Sequence, residues 1–143
     1  MTDVVRPGRL GDAPACSKIK NDWVDRTGWM PRVHAREEVE RHYHAFVFQE
    51  REIYVIGDPP VAFVALGEDN FVTSLFCGPP GEGRGKVLLD HAKTKRPELQ
   101  LWSFVANTGA CRFYEREGFV ETDRSDGDNE ENLPDILYRW TAG

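Results

Sequence analysis

The chain has no apolar run approaching the roughly 20 residues needed to cross a bilayer, so no membrane span is expected. Cysteine is scarce, with Cys16, Cys77 and Cys111 the three present. An odd number without close spacing excludes a disulfide framework and fits free thiols in a reducing compartment. Positive charge is in the minority, 18 Lys and Arg against 24 Asp and Glu, for a formal charge of −6 at pH 7. That argues against sequence-independent nucleic-acid binding, which leans on basic surface. The four histidines are scattered, and His42 and His44, two apart on a helix, face different ways. No metal site is expected. The opening "MTDVVRPGRLGD" lacks the apolar core of a signal peptide, so a cytoplasmic protein is expected. There is no repeat, no linker and no low-complexity tract.

What is present is one domain's worth of alternating elements over residues 1–143. "DVVRP" suits a short first strand. Asp12 is placed to cap a helix that tolerates Pro14 in its first turn and carries Cys16, Ile19 and Trp23 at helical spacing, ending at Gly28. The apolar corner "WMPR" is either a helix–helix turn packed on itself or the wall of a pocket, with Trp29 its candidate lining residue. A second helix follows, with Ala35, Val39, Tyr43 and Val47 every fourth residue and Phe46 beside them. The period then changes to that of strands, in "EIYVIG", "PVAFVALG" and "NFVTSLFC", broken by the turn residues "DPP" and "GEDN". "GRGKVLLDHAKTKRP" is helical, with Val87, Leu88 and Ala92 on its packed side. "LQLWSFV" is apolar on both faces, as a central covered strand would be, and core packing is expected for Trp102. "TGACRFYEREG" forms a short helix closed by Gly118. "FVETDRS" and "ILYRW" form last strands around the acidic loop "DGDNEENLPD". The order β-α-α-β-β-β-α-β-α-β-β is that of an α/β domain with a mixed sheet and helices on both faces.

The stretch "FCGPPGEGRGKVLLDHAK" packs glycines between a strand and a helix. Glycine there lets something approach the main chain closely, and the first amides of a helix suit a phosphate. It is not a Walker A loop, because Pro80 and Val87 stand at the first-glycine and hydroxyl positions. It is not a dinucleotide fingerprint either, because Lys86 or Leu88 falls where the third glycine belongs. A pyrophosphate seat remains, with Arg84 and Lys86 adding positive charge. Downstream, in "ANTGACRFYEREGF", Asn107 can cap the next helix, and Ala110 and Tyr114 share one helix face. By itself Tyr114 is either buried filler or a proton donor.

Taken together the two stretches closely resemble the Gcn5-related N-acetyltransferase (GNAT) superfamily. Its cofactor motif, Gln/Arg-x-x-Gly-x-Gly/Ala, reads "PGEGRG" here, with Gly83 and Gly85 matching and Pro80 in the place of Gln or Arg. Its second pattern, Asn-x-x-Ala-x-x-x-Tyr-x-x-x-Gly-Phe, matches throughout at Asn107, Ala110, Tyr114, Gly118 and Phe119. The resemblance implies the GNAT acyl-CoA N-acyltransferase fold, about six to seven strands flanked by about four helices, with the fourth and fifth strands splayed. It implies acetyl-CoA (coenzyme A) in the splay. The pantetheine arm would pair with Leu75, Phe76 and Cys77, and the pyrophosphate would lie over Gly81, Glu82, Gly83, Arg84, Gly85 and Lys86. Asn107, Ala110 and Phe113 would contact the cofactor from the other side. It further implies direct acetyl transfer to a small-molecule or peptide amine, with Tyr114 as general acid. Cys77 reads as a strand residue rather than a nucleophile. Glu52, Glu131 and Asp135 are the candidates for a base, Glu131 foremost because its loop often completes the acceptor pocket in this family. The alternative is a non-catalytic acyl-CoA-binding or regulatory domain of the same fold. A homodimer is open, with no residue to locate an interface.

Overall fold

The computed structural model describes residues 4–79 and 81–143, so Pro80, the departure from the cofactor motif, lies outside the described residues. Four strands form one antiparallel sheet in the order β1-β2-β3-β4: β1 (Val5–Pro7), β2 (Glu52–Gly57), β3 (Pro60–Leu66) and β4 (Val72–Cys77). Three more, β5 (Glu98–Phe104), β6 (Val120–Ser125) and β7 (Asp135–Thr141), form a second in the order β5-β7-β6. A single parallel bridge, Phe71 with Gln100, joins the two at the foot of β4 and β5. Beyond that rung β4 and β5 are not hydrogen-bonded neighbours, and the two strands splay apart.

The alternation along the central strands explains the layering. On one face, Ile53, Val55, Phe63 and Ala65 meet Cys16 and Ile19 of α1 (Ala13–Arg26) and Val39 of α2 (Arg36–His42). The chain runs on from α2 through a π-helical turn, Tyr43–Val47, to the short α3 (Phe48–Glu50). Tyr43 and Val47 lie in the same cluster. A stripe spaced strictly by four drifts around an α-helix, and the wider π turn corrects the drift. Phe46, expected beside that stripe, is instead 39% exposed, because the π turn rotates it off the packed side. On the other face, Tyr54, Ile56, Ala62 and Val64 pack under Leu88, Leu89 and Ala92 of α4 (Arg84–Lys95). That cluster continues through Leu99, Leu101, Phe119, Ile136 and Tyr138 of the second sheet, so one core spans both sheets. α5 (Thr108–Arg116) packs against β5.

Two local expectations fail for clear reasons. Asp12 precedes α1 but makes no side-chain cap. Its carboxylate accepts from the Arg6 guanidinium at 2.8 and 3.0 Å and from the Arg9 amide at 3.0 Å, which outcompetes the helix amides. Trp102 is 44% exposed rather than in the core. In β5, Leu99, Leu101 and Ser103 are buried while Gln100, Trp102 and Phe104 are not. The two apolar faces of "LQLWSFV" are a core face and a cleft wall, not two faces covered by helices. No helix among the described residues is long and apolar enough to cross a membrane.

Candidate active site

The wedge between β4 and β5 is a cleft of about 1100 Å³. Its walls are β4, the turn leading into α4, β5, one face of α5, α1 and the β6–β7 loop. The cleft gathers the residues singled out from sequence: Leu75, Phe76 and Cys77, the glycine turn from Gly81 through Lys86, then Asn107, Ala110, Phe113, Tyr114 and Glu131.

At the turn, Gly81 and Gly83 adopt left-handed φ of 79° and 76°. Nothing lies within 4 Å of a Cβ built on either, so backbone conformation, not crowding, asks for glycine there. Gly83 is the N-cap of α4, and the helix's first amides lack intrahelical acceptors. Gly85, by contrast, sits against the Phe113 ring at 3.7 Å and the Cys77 sulfur at 3.9 Å. Lys86 turns to Glu117 at 2.9 Å and Asp90 at 3.3 Å, so its charge is already shared with carboxylates.

In the middle of the cleft, β4 pairs with β3 along one edge only, from Leu66–Val72 to Ala62–Cys77. The other edge presents main-chain groups to the cleft, as a strand edge does. Burial pushes the Cys77 thiol up, which keeps it protonated and unreactive. Opposite, the Asn107 side chain caps α5 by accepting from the Ala110 amide at 3.2 Å. Tyr114 packs among Phe113, Phe119 and Tyr138, with ring centroids 5.2, 5.6 and 6.2 Å away. Burial holds its phenol well above the usual range, so the hydroxyl keeps its proton at neutral pH.

The third region is walled by α1 and the corner after it, through Lys20, Trp23, Arg26, Thr27 and Met30. Trp23 lies 5.4 Å from Phe76 and 5.8 Å from Trp29, which lies 5.8 Å from Phe104. The corner "WMPR" is therefore both a packed turn and, through Met30, a pocket wall. Sequence reasoning missed Lys20, Arg26 and Thr27, and placed Trp23 with the core stripe. The available signal was the spacing of Lys20, Trp23 and Thr27, which puts them on one face beside that stripe.

Of the three carboxylates considered as a base, Glu131 alone lines the cleft. Asp135 is buried and anchors the loop instead: its oxygens accept from Ser125 at 2.5 Å and Asn129 at 3.2 Å. Glu52 is held by the Tyr54 hydroxyl and by Arg96 at 3.4 Å, and both partners depress its pKa. From outside the cleft, His34 reaches Glu130 at 3.0 Å and ties the β6–β7 loop to the start of α2. Among the described residues no group of three or more His, Cys, Asp or Glu could hold a metal ion.

Splayed fourth and fifth strands, a glycine turn opening α4 and an Asn-capped α5 carrying a half-buried tyrosine define a class: the chain belongs to the GNAT superfamily. A peptidyl-lysine N-acetyltransferase from Escherichia coli, YjaB, is 38% identical over 111 residues, covering 74% of each chain. The YjaB of Salmonella typhimurium is 39% identical over 74 residues, and that match spans half of each chain. The solution structure of apo-form YjaB from E. coli superposes over 100% of both chains with a TM-score of 0.80 at 28% identity. At 18% identity, yncA of S. typhimurium, solved with its cofactor acetyl-CoA, shares the fold with a TM-score of 0.73 over 99% of this chain and 94% of its own. No family model matches the chain.

Proposed function

We propose that this protein is an acetyl-CoA-dependent N-acetyltransferase that passes the acetyl group directly to a primary amine in a ternary complex. The observation that carries the reading is the slot itself: an unpaired β4 edge, helix amides at one end and a protonated, half-buried tyrosine on the facing helix. Its size and donor set fit a long, flexible thioester with a pyrophosphate. Leu75, Phe76 and Cys77 would hold the pantetheine arm through the main chain, as an added strand would. Gly81, Glu82, Gly83, Arg84, Gly85 and Lys86 would seat the pyrophosphate, chiefly through the amides opening α4. Asn107, Ala110 and Phe113 would close the other side. When bound, acetyl-CoA supplies an activated acyl group as a thioester. A β4 amide would polarise its carbonyl. Tyr114 would give a proton to the departing sulfur, and Glu131 would take one from the incoming ammonium, directly or through water. The name of the YjaB relatives supports an amine acceptor.

Tyr114→Phe keeps the ring and removes the proton. It is expected to lower kcat by about 100-fold or more in a thiol-release assay, while calorimetric titration still shows acetyl-CoA binding. Undiminished thiol release would remove Tyr114 from the mechanism. A non-catalytic acyl-CoA-binding domain predicts saturable binding with no thiol release from any amine.

A further inference from the structure

The acceptor end of the cleft is not uniformly acidic. Glu131 reaches it from the β6–β7 loop, but Lys20 and Arg26 face it from α1. Among the described residues neither cation makes an ion pair within 4.0 Å, whereas Arg32 and Arg36 close by are held by Asp25 at 2.7 and 2.6 Å. Lys20 is half-buried against the cleft, and that partial burial pushes its ammonium down, with Glu131 and then Glu130 opposing and Arg32 reinforcing the shift. Of those two acids, Glu130 is already engaged by His34. Two cations without an ion-pair partner thus line this end of the cleft beside the one carboxylate of Glu131, so a ligand that brings a negative charge complements it.

A purely cationic acceptor, such as the side chain of a lysine in a peptide, would meet Glu131 but also two like charges. An acceptor bearing an amine and a carboxylate would meet both signs of charge, with Trp23, Phe76 and Met30 to cover an apolar remainder. Resting on the transfer reading above, we propose that the acceptor is a small amino-carboxylate such as a free amino acid, and that Lys20 is the residue that recognises its carboxylate.

The test is a matched-pair binding measurement. Protein saturated with coenzyme A is titrated calorimetrically with phenylalanine and phenylalaninamide, then with methionine and methioninamide, at one pH where both amines are protonated. The acids are expected to bind at least about tenfold tighter than the amides, the worth of one charge-assisted hydrogen bond. The ratio falls to about one in Lys20→Met, which fills the same half-buried space, and persists in Lys20→Arg. Acid and amide binding within about twofold of each other, a ratio unchanged in Lys20→Met, or no binding of any acid at millimolar concentration overturns the proposal. Thiol release from acetyl-CoA is followed with the same amines. Its absence alongside an intact binding preference defeats the transfer reading and leaves the recognition by Lys20 standing.

Discussion

His34 stands outside the cleft and holds one of its walls. Its ring nitrogens lie 3.0 Å from Glu130 and 3.4 Å from Glu38, and both carboxylates raise its pKa above the ordinary 6.5, Glu130 the more strongly. A histidine whose folded pKa is raised contributes stability that is fully present below its unfolded pKa and disappears as pH rises through the folded one. His34→Gln should therefore lower Tm at pH 6, with the gap to wild type closing toward pH 8.5. A gap that stays constant across that range in thermal melts would show the pairing carries no charge. Residues of this kind show where sequence reading stops. Among Glu131, Glu52 and Asp135 the sequence favours Glu131 only by its loop, and two hydroxyls, an amide and an arginine show that the other two are already engaged. Lys20 looks like any exposed helix lysine until the splay places it in a cleft. Trp102 looks like core because hydrophobicity does not distinguish a core from the lining of a slot.

At the scale of the element, the turn before α4 carries the clearest prediction. Gly83 has φ of 76°, a conformation that costs an L side chain about 1–2 kcal/mol. Gly83→Ala is expected to lose that much stability in denaturant melts and to bind acetyl-CoA more weakly, because the amides at the start of α4 shift. Gly28→Ala, where the backbone is ordinary and nothing lies within 4 Å of a Cβ, serves as the control and should leave both unchanged. Equal effects at the two positions would mean that the left-handed turn has no special role. The strand and helix order was legible because period-two and helical patterns alternate cleanly, with glycine and proline at the breaks. The π turn at Tyr43–Val47 was not legible, since one turn of wider pitch leaves the spacing of its apolar residues intact. The capping of α1 was misjudged because a distant partner, Arg6, claimed the Asp12 carboxylate.

At the scale of the whole molecule, the splay followed from two short motifs through family resemblance, and no local pattern in β4 or β5 specifies it. A ligand lying between the sheets touches both, so it should stabilise the native state as a unit. Acetyl-CoA at about 100 times its Kd is expected to add about 2.7 kcal/mol, or roughly 8–12 °C in Tm for a chain of this size. A shift of less than a degree at that concentration would mean that the native chain does not bind it.

The lone rung between Phe71 and Gln100 has a mechanical side. A ladder of hydrogen bonds resists rotation between strands, and contacts confined to one end act as a pivot. What otherwise couples the halves is hydrogen bonding at that same end, Gln100 to the Asp69 carbonyl at 2.9 Å and Asn70 to Glu98 at 3.5 Å, and side-chain packing beneath α4, from Leu88 and Leu89 to Leu99, Leu101 and Phe119, which tolerates small tilts that a ladder would not. If the cleft takes an acyl-CoA as proposed, a donor with a bulkier acyl group is expected to be accommodated by rocking the two sheets about that end, with every strand pairing left intact.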